Sequence, residues 1–296
     1  MAKKTKGIVL ALICITLWAL IPVVAKLGQT SLDNHQFLFW SSLVSFVILL
    51  CLAAIKGNLM EIAHYSVGDW FQLSILGLLG TYFYYLFLYL GYASTSGLTV
   101  LVFQYSWPIL IVLFSAFILK EVLTFRKAIT LLLGFTGVVV VLTGGRFDMV
   151  TIENPGSISL VVTGAACFAL YSVLSKTVRK DPLTAVTIYF MCAGMASLAS
   201  MLLFSEFSFP SEKEIVPVVL NGLFINGISY SLWLFALRST EASYLAPFTF
   251  ITPALSALYL VVFFNEPLTT ALLIGLLCIV AGGLVNSLNL KRLAGN

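Results

Sequence analysis

Apolar segments of about 20 residues recur along the whole chain, and this repetition constrains the fold more than any other feature. A helical segment of that length crosses the hydrocarbon layer of a bilayer. Hydrophobic residues make up 60% of the sequence and charged residues only 9%, against about 25% charged in an average soluble domain. A soluble fold cannot bury so much apolar surface. The sequence therefore predicts an all-α integral membrane protein.

Loop and turn signals divide the apolar segments into ten predicted transmembrane helices. The shortest connections precede residues 97 and 269. The predicted helices cover residues 7–27, 35–55, 70–93, 97–119, 127–144, 156–176, 184–204, 215–237, 242–264 and 269–289.

The distribution of the sixteen Lys and Arg residues predicts how the helices are oriented. Positive charges collect on the cytoplasmic side of membrane proteins. With ten helices, thirteen of the sixteen fall on the side of the N-terminus, and only Lys26, Arg146 and Lys213 fall on the other side. This split predicts a multi-pass protein of the plasma membrane with both termini in the cytoplasm. It also explains the net charge of +4 without a nucleic-acid partner.

The second half of the chain repeats the first at an offset of 145 residues, and residues 98–124 align with 243–269 without a gap. An offset of 150 fits the start of each half, where Trp18 aligns with Phe168. Each half holds five predicted helices, so the second half enters the membrane from the opposite side. The sequence thus predicts two inverted repeats, residues 1–146 and 147–296, as in secondary transporters that alternate access to a central site. The aligned pairs include Phe103 with Phe248, Pro108 with Pro253, Glu121 with Glu266, and Gly137 with Gly282.

The segments FILKEVLT at 117–124 and VVFFNEPLT at 261–269 each close a proline-containing helix with Glu, followed by Leu-Thr. In these features the chain resembles the EamA family of the drug/metabolite transporter superfamily, whose members have two such repeats. The resemblance covers nearly the whole chain and implies a transporter. Members similar to this pattern export amino acids and other metabolites, or move quite different solutes. Trp40 and Phe190 occupy the region where many relatives carry an arginine, so a carboxylate-binding role there is not carried over.

Uncharged aromatic and polar residues inside the predicted helices form the candidate solute site. Tyr82, Tyr85, Tyr89 and Tyr92 follow the spacing i, i+3, i+7 and i+10, which places them on one helix face. That face is either a packing surface or the wall of a cavity. The repeat favours a cavity, because Tyr85 aligns with a second tyrosine in the other half. The predicted binding residues are Trp18, Tyr82, Tyr85, Tyr89, Gln104, Trp107, Tyr171, Asn226, Tyr230, Trp233 and Phe248.

Charged side chains stand at the ends of the predicted helices, where we expect them to snorkel or to cap. Lys176 and Arg238 are examples. A central site without fixed charge suits a neutral, zwitterionic or cationic solute that has an apolar or ring-bearing part. Aromatic faces can hold a cation by cation–π attraction or stack on an aromatic amino acid. An anionic solute is disfavoured.

The predicted function is a secondary transporter, working as an exporter or facilitator of small metabolites such as amino acids by alternating access. Transport of organic cations through an aromatic cage is the alternative, and a membrane-embedded enzyme or receptor is the alternative from a different class. The sequence has no GxxxxGK[ST] and no HExxH motif, so we predict no catalytic site, cofactor or metal. The predicted partners are a small-molecule solute and the lipid bilayer, with the protein a monomer or homodimer.

Overall fold

The computed structural model describes residues 2–28, 31–92, 94–150, 152, 154–265 and 267–287 of the chain. Every regular element within these ranges is helical. Nine helices of this described part are long and apolar enough to cross a membrane, and a shorter apolar helix follows them. In chain order, α1 to α10 are Lys3–Ala25, Asn34–Ile55, Val67–Tyr92, Gly97–Ile118, Phe125–Thr143, Pro155–Ser175, Pro182–Phe204, Glu212–Ser239, Ala242–Phe264 and Thr270–Asn286.

The prediction of ten transmembrane helices is confirmed, and their ends differ from the predicted ends by a few residues. Helices α3 and α8 each start three residues earlier than predicted because capping boxes extend them. The Asp69 carboxylate accepts a hydrogen bond from the backbone N–H of Ser66 at 2.9 Å, and Glu214 does the same for Ser211 at 3.0 Å. These two boxes occupy equivalent positions in the repeat. The predicted end of the last helix, residue 289, lies outside the described residues.

The helices pack in pairs that reflect the repeat. Helix α5 packs against α10, α2 against α7, α1 against α8, and α3 against α6. Exchanging the two halves turns the α1–α8 pair into the α6–α3 pair and leaves the other two pairs unchanged, as a two-fold axis requires. The architecture is therefore two inverted repeats of five helices. The exact boundary between residues 146 and 147 stays a prediction.

Irregular turns interrupt several helices near their midpoints, again in matched places. The α-helical geometry of α4 stops after Gln104 and resumes at Trp107, and α9 contains a 3₁₀ segment at Ala246–Phe250, which is the same place in the repeat. Helix α1 is broken between Trp18 and Ile21. Wide π-helical turns occur at matched depths in α3 and α8, and such turns are frequent at functional sites. They cover Leu78–Phe83 and Asn221–Ile228.

The helix bundle has two ends, one on each side of the membrane. The N-terminal end is where α1 begins, and the far end is where α1 finishes and α2 begins. At the far end, Glu214 joins the α1–α2 connection to α8, because its carboxylate accepts hydrogen bonds from the backbone N–H of Ser31 at 2.7 Å and of Leu32 at 3.0 Å. At the N-terminal end, Lys180 forms an ion pair with Asp69 at 2.8 Å and so joins the α6–α7 connection to α3. The two contacts are counterparts in the repeat.

Candidate functional site

A cavity of about 520 Å³ lies between α1, α2, α3, α4, α8 and α9. Its lining residues come from the middle of these helices and from the halves that point to the far end. Asn34 and Tyr92 line the cavity and are exposed to solvent. The cavity therefore opens at the far end. A recess of about 50 Å³ continues from it toward the centre of the bundle, where Trp107, Phe168 and Tyr230 join the lining.

Tyrosines of α3 form one wall of the cavity. Tyr84, Tyr85, Tyr89 and Tyr92 all line it. Tyr82 does not, because it lies in the π-helical turn, where more residues fill one turn than in an α-helix and the face shifts. The ring of Tyr82 instead packs against the Phe83 ring, with centroids 5.3 Å apart.

Amide and hydroxyl groups on three helices leave polar atoms without partners at the cavity. The Nε2 of Gln104 donates a hydrogen bond to the Tyr84 hydroxyl. Gln104 Oε1, Asn226 Oδ1 and Thr252 Oγ1 have no hydrogen-bonding partner among the described residues. An unsatisfied buried polar group costs free energy, so each is a ready partner for water or for the polar part of a solute. None of the described lining side chains carries a charge.

Aromatic rings close the cavity toward the N-terminal end. Trp18 packs in tilted or edge-to-face contact on Trp107, Phe168, Tyr230 and Trp233, with ring centroids 5.4 to 6.1 Å apart. Hydrogen bonds fix the polar edges of these rings: Trp18 Nε1 donates to Ser229 Oγ at 2.9 Å, Trp233 Nε1 to Ser172 Oγ at 3.1 Å, and the Tyr230 hydroxyl to the Gly80 carbonyl at 3.2 Å. We call Trp18, Trp107, Phe168, Tyr230 and Trp233 the aromatic floor.

Below the floor, a charged network seals the N-terminal end. Glu121, in the α4–α5 connection, accepts hydrogen bonds from the first backbone N–H groups of α9, at 3.0 Å from Ala242 and 2.8 Å from Ser243. Lys176 forms an ion pair with the same carboxylate at 2.8 Å. Burial alone would raise the pKa of the Glu121 carboxyl, but the hydrogen bonds from Lys176 and Ser243 outweigh it and lower that pKa below its ordinary value. The two halves are thus joined where Glu121 caps α9.

Seven of the eleven predicted site residues line the cavity or its recess. They are Trp18, Tyr85, Tyr89, Gln104, Trp107, Asn226 and Tyr230. Tyr171 and Trp233 are fully buried at the floor, and Phe248 packs against Tyr244 in the 3₁₀ segment of α9. Tyr82 stands apart in the π-helical turn. A solute-binding role for these residues stays a prediction.

Sequence reasoning missed the wall that α2 contributes. Asn34, Phe37, Leu38 and Ser41 line the cavity and follow the spacing i, i+3, i+4 and i+7, so the helical period could have found them. Tyr84 lies one residue outside the tyrosine stripe, but it shares a face of the regular helix with Leu88 and Tyr92, at the spacing i, i+4 and i+8, so the helical period could also have found it. The other polar lining residues that were not predicted are Tyr105, Asn221, Thr252 and Ser256.

The sequence of each half matches a known family. A model of the EamA-like transporter family matches residues 5–143 and 156–288. The chain belongs to this family. Each matched stretch contains five of the ten helices, and the cavity lies between helices of both. The predicted family membership is thereby confirmed.

Individual relatives and a solved structure agree with this assignment. The chain is similar to the aromatic amino acid exporter YddG of Ancylobacter novellus, with 31% identity over 219 residues that cover 73% of this chain and 75% of the exporter. An uncharacterized transporter of Archaeoglobus fulgidus is 23% identical over 283 residues, which cover 94% of this chain and 96% of that protein. A crystal structure superposes with a TM-score of 0.87 at 23% identity, covers 98% of this chain and 99% of that chain, and supports the fold. The protein is an EamA-family transporter with multiple membrane-spanning helices, and its family and relatives indicate transporters rather than enzymes.

Proposed function

We propose that this transporter exports amino acids with a ring or another large apolar side chain, and that it works by alternating access. The cavity open at the far end is the release-side vestibule, and the aromatic floor separates it from the N-terminal end. Both termini lie in the cytoplasm of this plasma-membrane protein, which acts as a monomer or homodimer. Each five-helix repeat, with its boundary between residues 146 and 147, moves as a unit against the other.

The observation that carries this proposal is the pairing of aromatic walls with unpartnered amide oxygens in a cavity whose described lining side chains are all uncharged. The rings of Trp18, Tyr84 and Tyr85 offer apolar faces and edges to a ring-bearing side chain. The unpartnered side-chain oxygens of Gln104 and Asn226 can accept hydrogen bonds from its amino group. A cavity of about 520 Å³ falls in the range of small-molecule sites. The similarity to an aromatic amino acid exporter supports the same solute class.

Organic cations are the second candidate solutes. Tyrosine and tryptophan faces attract a desolvated cation, and Trp18, Tyr84, Tyr85 and Tyr105 lie together at the inner part of the cavity. A cation would need no carboxylate partner if enough ring faces surround it. This candidate predicts transport of a quaternary ammonium compound without transport of amino acids.

Flux into liposomes that contain the purified protein tests the proposal. We expect counterflow of phenylalanine, and Gln104→Leu, Asn226→Leu and Tyr85→Ala should each lower its initial rate about fivefold or more, since each removes a contact worth about 1 kcal/mol. Gln72→Leu is the matched control for Gln104→Leu, because Gln72 is exposed on α3, away from the cavity. It should transport like the wild type.

Different results would favour different functions. Flux of a quaternary ammonium compound without amino-acid flux would select the cation transporter. Turnover of a solute without any flux would indicate an enzyme instead. If all three cavity variants transport phenylalanine at the wild-type rate while remaining folded, the site assignment is wrong.

A further inference from the structure

Arg238 carries a buried positive charge whose hydrogen bonds are incomplete. It lies near the end of α8 at the N-terminal end, and its side chain is half-buried. The Nη1 atom donates a hydrogen bond to the Lys180 carbonyl at 2.6 Å. The Nε and Nη2 atoms are buried and have no hydrogen-bonding partner among the described residues. A guanidinium group stays charged in a protein, so these donors lack an acceptor that their burial calls for.

The neighbours of Arg238 do not supply that acceptor. Asp181 interacts with Arg238 electrostatically but accepts no hydrogen bond from its Nε or Nη2 atom; Asp181 Oδ1 accepts from the backbone N–H groups of Leu183 at 2.9 Å and Thr184 at 3.2 Å, at the start of α7. The nearby Asp69 carboxylate is paired with Lys180. Removing an ion from water without a bonded partner is costly, so an anion that binds here would relieve this cost.

A second unpartnered group lies on α6, which contacts α8 through the hydrogen bond between Ser172 and Trp233. The hydroxyl of Tyr171 is buried, has no hydrogen-bonding partner among the described residues, and interacts electrostatically with Arg238. The Tyr171 ring packs on Phe168 and Tyr230 of the aromatic floor, with centroids 5.6 and 5.9 Å apart. Tyr171 therefore stands directly behind the floor, and Arg238 lies five residues beyond Trp233 of the floor along α8, toward the N-terminal end.

The repeat places the same region on the solute path. By the offset of 150 residues, Tyr171 is the counterpart of Ile21, and by the offset of 145, Trp233 is the counterpart of Leu88. Ile21 and Leu88 both line the open cavity. When the two halves exchange conformations, Tyr171 and Trp233 take the positions that Ile21 and Leu88 hold in this structure, and they then line a cavity that opens at the N-terminal end.

We propose that Arg238, together with the Tyr171 hydroxyl, binds the carboxylate of the solute when the transporter opens at the N-terminal end. The Nε and Nη2 donors lie side by side on the guanidinium group and match the two oxygens of a carboxylate. None of the described side chains that line the cavity at the far end is charged, so the carboxylate is bound by a charged group on one side of the membrane and released from an uncharged lining on the other. The transported class is then solutes that contain a carboxylate. This inference rests on the proposed function.

Flux measured separately from each side of the membrane tests the role of Arg238. In liposomes of determined protein orientation, we expect Arg238→Gln to raise the half-saturating concentration of phenylalanine about tenfold from the N-terminal side, the effect of losing a charge-assisted hydrogen bond. The half-saturating concentration measured from the far side should change by less than about twofold, since the substitution removes no contact with the solute there. Arg238→Lys keeps a charge without the paired donors and should give an intermediate value. Phenethylamine, which has no carboxylate, should compete equally well with wild type and both variants.

A matched control separates a local contact from a general loss of charge. Arg179→Gln removes the same charge from an exposed position at the same end and should behave like the wild type. Thermal unfolding of Arg238→Lys and Arg238→Gln checks that both variants fold. The proposal is overturned if folded Arg238→Gln leaves phenylalanine uptake unchanged, or alters phenylalanine and phenethylamine equally from both sides. Wild-type liposomes without any phenylalanine flux would refute the proposed function, and this inference with it.

Discussion

Single side chains at the N-terminal end decide which end of the molecule is closed. Glu121 is the clearest case, since one carboxylate caps α9 and pairs with Lys176 of α6. It thereby joins the connection after α4 to two helices of the second half. Its counterpart in the repeat, Glu266, lies outside the described residues. Closure of one end thus depends on a few charge-assisted hydrogen bonds, each stronger than a neutral one.

Replacing Glu121 by Gln should lower the melting temperature at neutral pH by several degrees, because the ion pair and part of the cap are lost. The pKa of Glu121 is lowered in the folded protein, so its stabilising effect is present above the ordinary value of about 4.3 and is lost as the pH falls through the folded-state value. The difference between wild type and Glu121→Gln should therefore shrink as the pH falls below about 4. Thermal unfolding followed between neutral and acidic pH measures it. Glu61→Gln, at an exposed position of the same end, is the control, and an equal loss in both variants would contradict this account.

Among the elements, α3 shows how small residues allow the halves to approach. A Cβ added to Gly77 would lie 2.6 Å from the Tyr189 Cα of α7, and one added to Gly80 would overlap the Tyr171 ring of α6. Tyr171 cannot move aside freely, because Phe168, Tyr189 and Tyr230 surround its ring. The π-helical turn of α3 and the residues just before it therefore pack closely against the second half.

Gly80→Ala should lower the free energy of unfolding by about 1–3 kcal/mol, the usual cost of overpacking a buried contact. Gly194→Ala, in α7, is the matched control, because an added Cβ there meets nothing within 4 Å and alanine favours the helix. Thermal unfolding in detergent compares the two variants. Equal stability of Gly80→Ala and wild type would show that Tyr171 adjusts to the added methyl group.

In the whole molecule, the sequence symmetry of the two halves is broken by their conformations. Some positions that line the open cavity in one half have counterparts in the other half that are buried and do not line it. Ala25 lines the cavity at the far end, whereas its counterpart Ser175, 150 residues later, is buried at the N-terminal end. One end is open and the other is closed, as alternating access requires of a single state.

Cysteine labelling should detect this asymmetry. After the five native cysteines are replaced by alanine, Ala25→Cys should react with a membrane-impermeant maleimide added from the far side at least about tenfold faster than Ser175→Cys reacts from either side, because burial protects the thiol. A saturating transported solute should raise the reactivity of Ser175→Cys from the N-terminal side. Similar labelling of both positions without solute would mean that the two ends open together.

Much of this architecture could be predicted without coordinates. The length of the apolar segments predicted the ten helices. The offset of 145 residues showed which helices of the two halves correspond to each other. The site was harder to predict. The stripe from Tyr82 to Tyr92 assumes a uniform helical period, and the π-helical turn removes Tyr82 from it. Arg238 was expected to snorkel at a helix end, but two of its nitrogen atoms are buried, because α6 and α7 pack over them.

The sequence by itself determined that the chain spans a membrane ten times, that its second half is an inverted copy of the first, and that its centre holds tyrosines and amides without fixed charge. Those properties follow from local composition and from periodicity, both of which can be read from the amino-acid sequence. Only the tertiary structure decided which end is open, which tyrosines face the cavity, and which carboxylates meet which cations. These depend on contacts between residues more than 100 positions apart, such as Glu214 with Ser31 and Lys127 with Glu241. Two halves built on the same repeat can satisfy such contacts at one end at a time, and packing decides which end that is.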